Sequence, residues 1–190
     1  MRLRDCFDRY DSDKGRRHEY ERVYEPAFEP VRNEPLRILE VGVFGGASVN
    51  AWSDYFPNAE IVGVDLFTRV PIESIKVNDR VTLIKGNSTT VKLDGRFDIL
   101  IDDGAHDWAT QAATFKNLKP YADRYFVEDF WPLDRMSHKE RQHPWLLRNR
   151  LKGFAEKDYR EFVDLLDGFD VEYHDLRVGH FPDSFIVEIT

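Results

Sequence analysis

The stretch LRILEVGVFGGAS, residues 36–48, constrains this chain more than any other. Leu36–Val41 is a short apolar run with one acid, Glu40, near its end, the pattern of a strand buried on both faces. Gly42, Gly45 and Gly46 follow, and VNAWSDYF then reads as a helix stopped by Pro57. A strand that turns through glycines into a helix lets a ligand approach the main chain closely and aims free N–H groups at it. A second strand, AEIVGVD at 59–65, closes on Asp65, and a carboxylate about 20 residues past such a turn can accept hydrogen bonds from ribose hydroxyls. Loop and acid together predict a nucleotide-like ligand, against the plainer reading of a tight turn with an incidental acid. Phe44 stands where the dinucleotide fingerprint G-x-G-x-x-G has its second glycine, which disfavours a close pyrophosphate and a nicotinamide cofactor.

The rest of the chain repeats the alternation. RVTLIKG at 80–86, FDILIDDG at 97–104 and RYFVEDF at 124–130 read as strands. DWATQAATFKNLKPY reads as a helix with Asp107 at its N-cap, and AEKDYREFVDLLDGF as another ending near Gly168. DVEYHDLR and DSFIVEIT look like a closing antiparallel pair across VGHFPD. Near the start, Tyr20, Val23, Tyr24 and Phe28 share a helical face. Strand–helix alternation predicts a mostly parallel sheet covered on both faces. The 190 residues, 42% hydrophobic and 33% charged, fit one globular domain spanning 1–190.

A net charge of −8 with no clear basic patch argues against a nucleic-acid partner. Cys6 is the only cysteine, which excludes an intrachain disulfide or a cysteine-cluster zinc site. The absence of a long apolar run or signal core gives no membrane and a cytoplasmic location as expectations.

Two strands end in paired acids: Asp102 and Asp103, with His106 three residues after the second, and Glu128 with Asp129. Open parallel sheets bind ligands beyond the carboxyl ends of their strands. Four carboxylates gathered there repel one another, and a divalent cation is the usual resolution. Oxygen ligands favour Mg²⁺, Mn²⁺ or Ca²⁺ over zinc. An imidazole at 106 could take a proton from a metal-bound hydroxyl.

At these residues the sequence resembles the class I S-adenosylmethionine-dependent methyltransferases, in particular the metal-dependent macrolide-sugar O-methyltransferases and the cephalosporin hydroxylase-like family. The resemblance rests on SDKGRRHEYERVYEPAF, the glycine-loop stretch through VGVDL, IDDGAHDW and YFVEDF, over roughly residues 11–130, with DSFIVEI similar to the last strand. It implies a Rossmann-like three-layer sandwich with a mostly parallel seven-stranded sheet and a C-terminal antiparallel strand. It implies S-adenosyl-L-methionine held by Lys14, Glu40, Gly42, Phe44, Gly46, Ser48, Asp65, Leu66, Asn87, Ser88 and Asp102. It implies Mg²⁺ on Asp103, Glu128 and Asp129, His106 as base, and lid elements at 1–30 and 130–155. The implied reaction is O-methylation of a sugar or glycosylated small molecule, with a catechol-like diol as the alternative acceptor. A homo-oligomer stays open.

Overall fold

The structure, a computed structural model, describes residues 1–149, 154–177 and 181–190. Seven strands form one sheet: β1 Arg37–Val41, β2 Glu60–Asp65, β3 Val81–Lys85, β4 Phe97–Asp102, β5 Ala122–Val127, β6 Val171–Asp175 and β7 Phe185–Ile189. Their order is β3-β2-β1-β4-β5-β7-β6. The first five pair in parallel, and β7 inserts antiparallel to both β5 and β6. The expected closing pair therefore forms. Residues 178–180 of its connection lie outside the described residues, as do residues 150–153 of the expected second lid element and the side chain of Trp145.

Eight helices lie among the described residues: α1 Leu3–Arg9, α2 Asp13–Arg16, α3 Glu21–Phe28, α4 Ala47–Tyr55, α5 Trp108–Leu118, α6 His138–Arg141, α7 Pro144–Asn149 and α8 Glu156–Leu165. Alternation along each strand splits the core into two layers. Leu39, Val41, Leu100, Tyr125, Val127 and Val187 pack with Phe115 of α5 and Phe162 of α8. Ile38, Ile99, Ile101, Phe126 and Ile186 pack with Phe7 of α1, Tyr24 and Phe28 of α3, and Trp52 of α4. Residues 3–28 are thus an integral layer over one sheet face. The links from β2 to β3 and from β3 to β4 carry no α-helix, only a 3-10 turn at Ile72–Ser74.

The chain winds outward from β1 through β2 to β3, and the other way from β4 to β5, so the switch point lies between β1 and β4. Val41 pairs with Asp102 there, and Asp102 with Val127. That register brings the ends of β1, β4 and β5 level, beside the crevice where such sheets bind ligands. Phe44, Phe67, His106 and Asp129 follow the ends of β1, β2, β4 and β5 with φ of 47°, 51°, 60° and 51°. A non-glycine residue in that region costs on the order of 1–3 kcal/mol and gathers at functional rims.

Candidate active site

The glycine loop is locked from two sides. Gly42 has φ +89°, and a Cβ there would lie 2.0 Å from the Asp103 carbonyl oxygen, so only glycine fits. The Asp65 carboxylate accepts from the backbone N–H groups of Val43 (2.9 Å), Phe44 (3.0 Å) and Phe67 (2.7 Å). It therefore fixes the loop by its own hydrogen bonds while staying part-exposed at the crevice. Phe44 and Leu66 flank it with exposed apolar side chains, 63% and 50% accessible, and nothing stands within 4 Å of where a Gly45 Cβ would be. A carboxylate between two bare apolar surfaces over an open glycine suits a nucleoside: acceptors for ribose hydroxyls, and flat contacts for a base.

The other residues expected around a cofactor lie in and near the loop and at the ends of β3 and β4. Glu40 is buried beneath the loop, accepting from Ser48 Oγ (2.7 Å) and Trp52 Nε1 (3.1 Å). Gly46, with φ +84°, starts α4 and abuts Ile75. Asn87 accepts from the Thr89 backbone and hydroxyl within the turn after β3, and Ser88 shares a 2.8 Å hydrogen bond with Thr114 of α5. Asp102 is buried, accepting from the Tyr125 hydroxyl (3.2 Å) and Gly104 N–H (3.3 Å).

Beyond β4 and β5 the acids converge. Ligand atoms of Asp103, His106 and Asp129 all lie within 4.8 Å of one another. His106 Nε2 is 3.8 Å from Asp103 Oδ1 and 4.0 Å from Asp129 Oδ2, and its Nδ1 is buried with no hydrogen-bond partner. The two carboxylates face one gap that a small divalent cation fits, with an imidazole nitrogen at its rim.

Glu128 is turned away from this set. One of its oxygens accepts from the Lys14 ammonium and the other from the Tyr24 hydroxyl at 2.6 Å. Lys14, on α2, is 1% exposed and also bonds Asp103 Oδ2 at 2.5 Å and reaches Glu40 at 3.5 Å. Burial works against its charge, but Asp103, Glu128 and Glu40 outweigh it and hold the Lys14 pKa well above the usual value. Burial raises the pKa of Glu40, Glu128 and Asp129. Lys14 offsets the effect at Glu40 and Glu128, and His106 and His18 offset it at Asp129.

Three participants escaped the sequence reading. Tyr20 donates to Asp129 and Tyr24 to Glu128, although their spacing in the sequence predicts only the apolar face of a helix. Ser184, from the turn before β7, bonds buried His18 at 2.9 Å, which brings the His18 ring to 3.7 Å from Asp129. A tyrosine in an apolar stripe opposite a cluster of acids is the signal that could have found the first two, because a buried phenol needs an acceptor.

No protein-family model matches the chain. Its sequence is 33% identical over 141 residues to a tetracenomycin-rhamnoside 3'-O-methyltransferase of Streptomyces olivaceus, which is 65% of this chain and 35% of that protein. It is 31% identical over 147 residues to the mycinamicin VI 2''-O-methyltransferase of Micromonospora griseorubida, 68% of this chain and 36% of that one. The chain thus spans about a third of the length of these relatives. Among solved structures, SAH-bound PaMTH1 from Podospora anserina superposes with a TM-score of 0.65 at 21% identity, over 98% of this chain and 86% of that one. MycE from the mycinamycin pathway, solved with Mg and SAH, gives 0.60 at 19%, over 98% and 48%. The fold is that of the class I S-adenosylmethionine-dependent methyltransferases. Within that class, about two thirds of this chain is similar in sequence to the sugar O-methyltransferases of antibiotic pathways.

Proposed function

We propose that this chain is a divalent-metal-dependent O-methyltransferase acting on a hydroxyl of a sugar or glycosylated small molecule. The observation that carries the reading is the Asp103, His106 and Asp129 group, set beside a glycine loop at the sheet's switch point. The loop, Asp65, Phe44 and Leu66 would hold S-adenosylmethionine, and Asp103 and Asp129 would hold Mg²⁺. When bound, the cofactor supplies the methyl group and the cation acidifies the acceptor hydroxyl. His106 accepts the hydroxyl proton at Nε2, the nitrogen that faces the two carboxylates. Asp65 fixes the loop against the cofactor, and residues 3–28 exclude water from the inner side of the acids. The sugar relatives support the acceptor class.

The test is methyl transfer from labelled S-adenosylmethionine by the full chain to panels of sugars, glycosides and catechols, with and without chelator. Transfer to a sugar hydroxyl, lost on chelation and restored by Mg²⁺, is expected. His106→Ala should lower turnover by roughly 10²–10⁴-fold while retaining S-adenosylhomocysteine binding. Metal-independent transfer would refute the metal role, and transfer to catechols alone would replace the acceptor.

A further inference from the structure

Lys14 is buried among acids where the metal was expected to sit. Its ammonium contacts Asp103, Glu128 and Glu40 at once, from a helix that belongs to the layer over the sheet. We infer that Lys14 is the site's resident cation, which takes Glu128 out of metal coordination and turns Asp103 so that the metal binds Asp103 and Asp129 alone among the carboxylates. The inference rests on the metal-dependent reading above and explains why Glu128, which the family resemblance places on the metal, is absent from its ligand set.

The hydrogen bonds carry the argument. Both Glu128 oxygens are engaged, one by Lys14 and one by Tyr24, and the side chain is 1% exposed. Glu128 stands outside the group whose ligand atoms lie within 4.8 Å of one another, and swinging it toward Asp129 would pull it off the ammonium and the phenol that hold it inside the core. Asp103 is shared: Oδ2 faces Lys14 at 2.5 Å, whereas Oδ1 faces His106 at 3.8 Å. A lysine with no lone pair cannot ligate, and its charge repels a divalent cation, so the two cations belong on opposite sides of Asp103. Charge balance agrees. Glu40, Asp103, Glu128 and Asp129 are set against one ammonium, and a divalent ion on the outer side offsets most of the remainder. Lys14 acts here as a positioning residue, because it touches the ligands and not the substrate.

Direct Mn²⁺ binding to the 190-residue chain, followed by the electron paramagnetic resonance of free Mn²⁺, separates the possibilities without reference to turnover. Glu128→Gln is expected to leave Mn²⁺ affinity within about threefold of the parent, while Asp129→Asn weakens it by about tenfold or more. Lys14→Met frees the Glu128 carboxylate, so Mn²⁺ should bind more tightly than to the parent, and adding Glu128→Gln to Lys14→Met should reverse the gain. If the lysine variant does not fold, the comparison of Glu128→Gln with Asp129→Asn decides alone. Tenfold weakening by Glu128→Gln in the otherwise unchanged protein would return Glu128 to the metal and overturn the inference, leaving the metal-dependent reading standing. No Mn²⁺ binding by a parent that still binds S-adenosylhomocysteine would overturn both.

Discussion

At Asp102 the carboxyl group ends β4 beneath the glycine loop, 2% exposed, with Tyr125 and Gly104 as its donors. Burial pushes its pKa up to about 7 from an ordinary value of 3.8, against smaller opposing effects of His106 and the Tyr125 hydroxyl. A raised folded pKa means that the native state binds this proton more tightly than the unfolded chain. The associated stability is complete below about pH 4 and lost as pH rises through about 7. About three pKa units correspond to an upper figure of about 4 kcal/mol. Asp102→Asn keeps an acceptor for Tyr125 and removes the titration. Urea midpoints between pH 4 and pH 8 should therefore fall more steeply for the parent than for the variant, and parallel curves would refute this origin of the pH dependence. Asp102, Asp103 and Asp129 were legible in the sequence because strand ends were. The orientation of Glu128 was not. It depends on Lys14 and Tyr24, which lie more than 100 residues away and reach it only once the first three helices pack.

Among the elements, β1, β2, β4 and β5 read plainly, because strands buried on both faces have almost nowhere to place polar residues. α1 did not. Its sequence LRDCFDR carries four charges in seven residues. Only Leu3, Cys6 and Phe7 mark its inner face, at helical spacing too brief to outweigh them. The second sheet face depends on that short helix through Trp52 of α4, whose ring meets Phe7 at 5.0 Å and Tyr24 at 5.3 Å, both edge-on. Trp52 also donates to buried Glu40. Trp52→Ala should cost about 3–5 kcal/mol from the cavity, more than an isolated core truncation because Glu40 loses a donor. Chemical denaturation would measure it, and a loss below about 1 kcal/mol would mean that α1 and α3 are not load-sharing with α4.

At the scale of the molecule, the proposed cofactor site is built from loops after several different strands, so ligand and fold are linked by mass action. S-adenosylhomocysteine at about 100 times its Kd should raise unfolding free energy by about 2.7 kcal/mol. For a chain of this size that is a rise in Tm of roughly 5–10 °C. Calorimetry with S-adenosylhomocysteine and, separately, with NADH distinguishes the cofactor, and stabilisation by NADH alone would contradict the assignment. The insertion of β7 has a different bearing, on biosynthesis. Phe185, Ile186, Val187 and Ile189 are fully buried between β5 and β6. A nascent polypeptide that stops short of residue 185 presents β5 as a bare edge with unpaired N–H and C=O groups over an apolar surface. Until β7 emerges, that bare edge is a template for aggregation, and the need for chaperone protection lasts until β7 is made.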